Sequence, residues 1–211
     1  RTTRTAPSDY VRKLFDDYAP RFEAHLVGDL NYRAHSDIVG LVNQYRRGRR
    51  FDHALDLGCG TGLAGVAVRE FVDRLTGVDL SEKMLRQAEV KGIYEALHAS
   101  AIDSYLEQSG EMIDLVLASD VFCYIGALDN TVRLIVEHLP PTGLLGFSVE
   151  AEVPAASWVL RPSGRFGHGD AYISALMEEN GLVVVDKLRT VLRRDRGKPI
   201  SGIIYLAEKP A

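Results

Sequence analysis

The sequence predicts an α/β fold, in which a mostly parallel sheet of seven strands carries helices on both faces. From residue 53 onward, short apolar runs alternate with segments in which apolar residues recur at helical spacing. Near the end of the chain, two long strand-like segments flank the turn-prone residues 195–199. This second pattern predicts a closing antiparallel hairpin.

The same periodicities predict the element boundaries. Ser81 precedes an apolar stripe of Met84, Leu85 and Ala88, and it is therefore the expected N-cap of that helix. Residues 151–168 show no regular period and are expected to be irregular. We expect strands at 53–57, 74–79, 94–98, 113–119, 143–149, 182–191 and 201–208, and helices at 63–72, 82–90, 102–108, 126–138 and 170–180.

Length and composition favour one α/β domain with a helical extension. The chain has 211 residues, and we expect an N-terminal helical extension or lid at 1–50 and a ligand-binding domain at 51–211. The formal net charge of −4 makes nucleic acid an improbable partner. No apolar run reaches the ~18 residues of a membrane span. Two cysteines without a disulfide pattern favour a reducing compartment, with the cytoplasm as the default location.

A glycine-rich stretch from Asp56 to Gly62 joins the first predicted strand to the helix that follows it. Its glycines stand at alternate positions, where the backbone must turn sharply and admit a ligand. The next helix offers free amide donors to that ligand. Asp79 follows the second strand, 23 residues after Asp56, close to the spacing at which an acid binds a ribose in nucleotide-binding folds.

The acid that opens the loop separates two classes of ligand. A dinucleotide site has the spacing Gly-x-Gly-x-x-Gly, whereas this loop has Gly-x-Gly-x-Gly preceded by Asp56. A carboxylate at this point repels a pyrophosphate but suits an ammonium or sulfonium group. A nicotinamide-dependent oxidoreductase is therefore the less favoured alternative.

These residues resemble the class I methyltransferases, which use S-adenosylmethionine. The stretch 56–62 is similar to the first motif of that family, and 77–81 with Met84 and Leu85 is similar to the second. The resemblance implies a Rossmann-like class I methyltransferase fold, S-adenosyl-L-methionine as the cofactor, and methyl transfer. Residues 10–26, 158–168 and 193–197 resemble a bacterial subgroup whose longer members carry tetratricopeptide repeats ahead of this domain. Because the chain also lacks an initiator Met, we expect it to be part of a longer protein with such a repeat domain upstream.

The resemblance also implies which residues contact the cofactor. Asp56 would hold the ammonium group, Asp79 both ribose hydroxyls, and backbone groups the adenine edge, since Asp103 lies two residues beyond the position of the acid usual in the family. An aromatic stripe in the first helix would form a lid. The full expected set is Asp56, Gly58, Cys59, Gly60, Gly62, Asp79, Leu80, Met84, Ala101, Ile102, Ser119, Asp120, Tyr18 and Phe22.

Three residues are candidates for the chemistry on the acceptor. Arg165 and His168 stand in a glycine-rich segment after the fifth strand, and Tyr124 follows the fourth. Arg165 could bind an acceptor carboxylate, and His168 could deprotonate an acceptor near neutral pH. No metal-ligand spacing is present, so no metal is expected. We expect a small-molecule acceptor; the alternative is a non-catalytic module that binds the cofactor and acts through protein contacts.

Overall fold

The computed structural model describes residues 3–22, 32–151, 157–195 and 197–211. Within these ranges, helices and strands alternate through most of the chain. They are α1 Ser8–Tyr18, α2 Ala34–Tyr45, β1 Phe51–Leu57, α3 Leu63–Val68, β2 Val72–Asp79, α4 Glu82–Val90, β3 Ala96–Ala99, α5 Ile102–Gln108, β4 Leu115–Ala118, α6 Asp129–His138, β5 Leu144–Glu150, β6 Trp158–Leu160, β7 Phe166–His168, α7 Asp170–Glu179, β8 Val183–Asp195 and β9 Lys198–Glu208. None of the described helices is long and apolar enough to cross a membrane.

The strands form one sheet, whose first five members are parallel. Its main order is β3-β2-β1-β4-β5-β9-β8, in which β9 runs antiparallel to both β5 and β8. The predicted α/β class, the parallel sheet and the closing hairpin are therefore confirmed. The chain order reverses between β1 and β4, and ligands bind in such sheets at the carboxyl ends of the strands beside this point.

Helices cover both faces of the sheet, because alternate strand residues point to opposite sides. On one face, Leu55, Val116 and Phe147 pack in a cluster that includes side chains of α5, α6 and α7. On the other face, Ala54 and Leu117 pack in a cluster that includes α2 and α3. Burial on both faces explains why the central strands are continuous apolar runs.

The two N-terminal helices lie in different places. α2 packs closely on β5, where a Cβ atom at Gly146 would lie 2.8 Å from Ile38. α1 is held at the carboxyl edge of the sheet, where the Ser81 hydroxyl donates to Asp16 (2.6 Å). The division of the chain at residue 50 stays a prediction, and residues 23–31 of the expected lid lie outside the described ranges.

The structure corrects the expectation of an irregular segment at 157–168, and residues 152–156 lie outside the described ranges. Residues 158–160 and 166–168 pair as an antiparallel β-hairpin, and β7 joins the end of β5 through the pair Glu150 and Gly167. The turn closes through Gly164, whose φ of +78° is readily adopted by glycine. Short strands of three residues show too little periodicity to be recognised in a sequence. The sheet therefore has nine strands in the described residues instead of seven.

Candidate active site

The glycine loop is held in place by the strand beside it. The amides of Gly58 and Cys59 both donate to the carbonyl oxygen of Val78, at 2.8 and 3.1 Å. Gly58, Gly60 and Gly62 have φ values of +64°, +52° and +91°, which L side chains rarely adopt. The loop therefore needs glycine at these positions, and it exposes bare backbone at the carboxyl edge of the sheet.

Asp56 lies buried beneath this loop. Its Oδ2 accepts a hydrogen bond of 2.7 Å from the hydroxyl of Tyr94, and its side chain lines a cavity. Burial raises the pKa of Asp56 to about 7, although the hydrogen bond from Tyr94 opposes this rise and the negative charge of Asp79 adds to it. A cation that enters the cavity would stabilise the ionised carboxylate.

Tyr94 fills the space behind the loop. A Cβ atom at Gly65 would lie 2.3 Å from the Tyr94 hydroxyl, and one at Gly77 would lie 3.0 Å from its ring. The glycines of α3 and β2 thus make room for a tyrosine that reaches Asp56. The prediction that β3 begins at Tyr94 was wrong, since the strand begins at Ala96.

Asp79 ends β2 on the other side of the loop. Its two carboxylate oxygens accept hydrogen bonds from the backbone amides of Gly60 (2.9 Å) and Ser81 (2.8 Å). Burial raises the pKa of Asp79, and these amide donors oppose the rise. As expected, Ser81 caps α4 by accepting from the amide of Met84 at 3.2 Å. Asp79 is therefore left to face the cavity.

The cavity has a volume of about 780 Å³ and opens at the carboxyl edge of the sheet. This volume lies in the range of about 300–1,000 Å³ that is usual for small-molecule sites. Aromatic side chains of the N-terminal segment cover it, with Phe15 and Tyr124 in edge contact at 5.4 Å and Tyr18 and Phe22 at 5.2 Å. The cavity contains the expected residues Asp56, Gly58, Cys59, Gly60, Asp79, Leu80, Ala101, Ile102, Ser119, Asp120, Tyr18, Phe22, Tyr124 and Arg165.

The end of β4 brings acidic and basic groups to the cavity wall. Asp120 has a φ of +55°, and its amide donates to the Ser148 hydroxyl on β5 at 2.9 Å. Its carboxylate lies 2.7 Å from Arg193 and 3.6 Å from Arg165. The guanidinium of Arg165 lies over the ring of Tyr124, 5.3 Å from its centroid. Two of the three residues expected to act on the acceptor are therefore adjacent.

His168 is placed elsewhere, which corrects its interpretation as a general base. The residue is fully buried and does not line the cavity. Its Nε2 lies 2.9 and 3.0 Å from the carbonyl oxygens of Ile125 and Gly126 and donates to them. Burial lowers the pKa of His168 to about 4. Because its ring donates to two backbone carbonyl oxygens, His168 holds the loop after β4 in place and does not contact a substrate.

Two further residues are placed differently from the expected contacts. Met84 is fully buried and Gly62 is the N-cap of α3 behind the loop, and neither lines the cavity. A Cβ at Gly62 would lie 2.9 Å from the Tyr94 ring, so this glycine serves packing. Asp103 does border the cavity, but its carboxylate accepts from Asn130 (2.8 Å) and Thr131 (2.6 Å).

The sequence reasoning missed several residues of the site. Tyr32 and His35 line the cavity with stacked rings 5.1 Å apart, and the Tyr32 hydroxyl lies 2.5 Å from that of Ser119. Arg193 reaches Asp120 from β8, where a register shift between Val191 and Arg193 redirects the side chains. Tyr32 and His35 stand outside every segment that the sequence singles out, and Arg193 lies in the segment 193–197 without any signal that places it at the site.

The acidic groups near the end of β4 are engaged by arginines. Asp120, Cys123 and Glu150 bring three possible metal-ligand atoms within 4.8 Å of one another. However, both carboxylates contact Arg193 and Arg165. Since cations already occupy the carboxylate oxygens, this trio suits an ion-pair network better than a metal ion.

The fold is the one found in class I S-adenosylmethionine-dependent methyltransferases. Residues 55–145 match the family described as methyltransferase domain. Over 139 residues the chain is 32% identical to malonyl-[acyl-carrier protein] O-methyltransferase of Halalkalibacterium halodurans, an alignment that covers 59% of this chain and 51% of that protein. The chain spans about half the length of the curated relatives it matches.

Solved structures show the same fold. Magnesium protoporphyrin IX methyltransferase of Synechocystis PCC 6803, with bound S-adenosylhomocysteine, superposes with a TM-score of 0.73 at 17% identity and covers 96% of this chain and 99% of its own. The [4+2]-cyclase SpnF has a TM-score of 0.76, also at 17% identity, with full coverage of both chains. The fold is thus shared by proteins with different named activities, and the activity must be argued from the site.

Proposed function

We propose that the protein transfers a methyl group from S-adenosylmethionine to a small-molecule acceptor. One observation carries this proposal: the buried carboxylate of Asp56 and the partly buried carboxylate of Asp79 flank a bare glycine loop at a cavity of about 780 Å³. A Cβ at Gly60 would project toward Phe22, 3.7 Å away, and would narrow the space above the loop. Paired acids suit a cationic nucleoside and would repel a dinucleotide pyrophosphate.

Each part of the cofactor has a suitable partner in the cavity. Asp79 at the end of β2 would accept from the ribose hydroxyls, and Asp56 would face the ammonium group, directly or through water. Leu80 would pack against the adenine, with the backbone of Ala101 and Ile102 at its edge. The methionine portion would lie beside the residues after β4. Bound in this way, the cofactor supplies an activated methyl group on a positively charged sulfur.

The protein's own contribution is positioning and exclusion of water. The lid residues Phe15, Tyr18 and Phe22 form an edge-to-face aromatic cluster over the cavity. Closing the cavity holds the two reactants together and strengthens the electrostatic contacts inside it. The apolar lid and the net charge of −4 favour a small organic acceptor over nucleic acid.

Calorimetric titration of the protein with S-adenosylhomocysteine and NADH tests the proposal. We expect S-adenosylhomocysteine to bind and NADH not to bind. Asp79→Asn should weaken binding of S-adenosylhomocysteine by about 10- to 100-fold, since hydrogen bonds to a charged group contribute about 1.5–3 kcal/mol. Asp73→Asn is the matched control, because Asp73 is an exposed carboxylate on the same strand and pairs with Arg50 (2.6 Å).

Three outcomes would contradict the proposal. NADH binding would favour the oxidoreductase alternative. Binding of S-adenosylhomocysteine that does not change in Asp79→Asn and Asp56→Asn would remove the electrostatic basis of the site. If the cofactor binds but no labelled methyl group reaches a broad acceptor panel, the non-catalytic module is the better interpretation. The upstream repeat domain stays a prediction.

A further inference from the structure

Five charged side chains form a network at the wall of the cavity. Arg193 contacts both Asp120 (2.7 Å) and Glu150, and Arg161 lies 3.5 Å from Glu150. Arg165 lies 3.6 Å from Asp120 and 3.7 Å from Glu150. Among the described residues, the network therefore holds three cations and two anions. Within this network, one positive charge has no matching anion.

We assign the unmatched positive charge of this network to Arg165. Its Nη1 is buried and makes no hydrogen bond within the described part of the chain, since both carboxylates lie beyond hydrogen-bond distance. Arg161 Nη2 is buried and unbonded as well, but Arg165 lines the cavity, whereas Arg161 and Arg193 do not. The Arg165 side chain is 27% exposed, so the remaining part of its guanidinium is available to a planar anion with two oxygens. The cavity therefore offers an anion site beside Tyr124.

The groups around Arg165 are poor proton acceptors. Burial raises the pKa of the Tyr124 hydroxyl and of the Cys123 thiol well above their ordinary values, so both stay protonated near neutral pH. Asp120 is held by Arg193. His35 also lines the cavity, where its ring stacks on that of Tyr32 and its charged neighbours are Asp37 and Lys91, and no described contact joins it to Arg165. An acceptor at Arg165 thus reacts best if it has already lost its proton.

We propose that Arg165 binds the carboxylate of a small organic acid and that this carboxylate is the methyl acceptor, so that the product is a methyl ester. The inference rests on the proposed function. A carboxylate oxygen attacks the methyl carbon, the new C–O bond forms as the C–S bond breaks, and the electron pair of the broken bond stays on sulfur as a neutral thioether. No proton is transferred, which agrees with the placement of His168 outside the cavity.

Binding of matched probes tests the first part. With the protein saturated with S-adenosylhomocysteine, calorimetry compares trans-cinnamate with trans-cinnamamide, which has the same shape but no charge. We expect the acid to bind at least about 10-fold more tightly, because charged hydrogen bonds contribute about 1.5–3 kcal/mol. Arg165→Gln should abolish this preference. Arg165→Lys should keep part of it, since lysine keeps the positive charge but lacks the paired N–H donors of the planar guanidinium.

Arg161→Gln is the matched control, since it removes the same charge from the same network outside the cavity. It should keep the preference for the acid. Equal binding of acid and amide, or equal losses in Arg161→Gln and Arg165→Gln, would overturn the inference. Retained binding of S-adenosylhomocysteine in each variant, together with an unchanged melting temperature, shows that the variant is folded.

Methyl transfer tests the second part. The protein is incubated with methyl-labelled S-adenosylmethionine and either a set of organic acids or a set of phenols and amines. The products are then treated with mild base. Esters release methanol, and this result supports the inference. Base-stable products overturn it while leaving the proposed function intact. If neither set is methylated although S-adenosylhomocysteine binds, both the inference and the proposed small-molecule transfer fail.

Discussion

Burial of Asp56 makes cofactor binding depend on pH, and the hydrogen bond from Tyr94 moves the pH range in which it does so. The carboxylate lies beneath the glycine loop with a pKa of about 7, so a substantial fraction is protonated in the free protein at neutral pH. The ammonium group of the ligand requires the ionised form of the Asp56 carboxylate. Tyr94→Phe removes a donor that favours ionisation and should raise the pKa of Asp56 further.

The size of the expected rise in pKa follows from the negative charge on the Asp56 carboxylate, which accepts the hydrogen bond from Tyr94. A hydrogen bond to a charged group contributes about 1.5–3 kcal/mol, which corresponds to about one to two pKa units. With a rise of about 1.5 units, the ionised fraction of Asp56 at pH 7 falls from about a half to about one thirtieth. Tyr94→Phe should therefore weaken binding of S-adenosylhomocysteine about 15-fold at pH 7, but only about twofold at pH 8.5.

Calorimetry from pH 6 to pH 8.5 measures both the affinity and its slope. The wild-type protein should also release protons when the ligand binds near pH 7, and this release appears as a dependence of the heat on the buffer. Tyr105→Phe is a control, because Tyr105 lies on α5 and stacks near His98, away from Asp56. A loss of affinity in Tyr94→Phe that is the same at every pH would refute the reasoning and indicate a packing defect.

Three further predictions concern stability and the loop. His168 has a pKa of about 4 in the folded protein, below the ordinary 6.5, so the unfolded chain takes up the proton first. The free energy of unfolding should therefore fall by up to about 3 kcal/mol as the pH drops from 6.5 to 4. Denaturant titrations of His168→Gln should show a weaker dependence on pH. Gly58→Ala would place a Cβ 2.4 Å from Val121 at positive φ, so it should lose about 2–4 kcal/mol of stability and the binding of S-adenosylhomocysteine. Arg193→Gln leaves the buried Glu150 and the partly buried Asp120 with less compensation and should cost about 3–5 kcal/mol in chemical unfolding.

The predictions for Gly58 and Arg193 each have a control in the chain. Gly48 has a φ of +88° with no atom near its Cβ position, so Gly48→Ala should cost about 1–2 kcal/mol and leave cofactor binding unchanged. Arg194 is exposed, and Arg194→Gln should change stability by less than about 0.5 kcal/mol. If Arg193→Gln and Arg194→Gln are equally stable, the buried network contributes little. If His168→Gln keeps the acid dependence, another group causes it.

Most of the fold and the cofactor side of the site could be predicted from local patterns. The glycine loop, Asp56 and Asp79 follow from one strand, one turn and the next strand, and a parallel register places their carboxyl ends side by side. The acceptor side could not be read in this way. His168 stands in a segment that suggests chemistry, but its ring is turned to carbonyl groups 42 and 43 residues earlier in the chain.

Local sequence patterns predicted the order of most strands and helices and the positions of the two acids beside the glycine loop. These features depend on contacts between neighbours in the chain. Tertiary structure alone decided that Tyr94 supports Asp56, 38 residues away, and that Arg193 reaches Asp120, 73 residues away. Such pairs need a set of glycines or a shift in strand register to bring them together. Their ionisation depends on burial, which exists only once the sheet and its helices have packed.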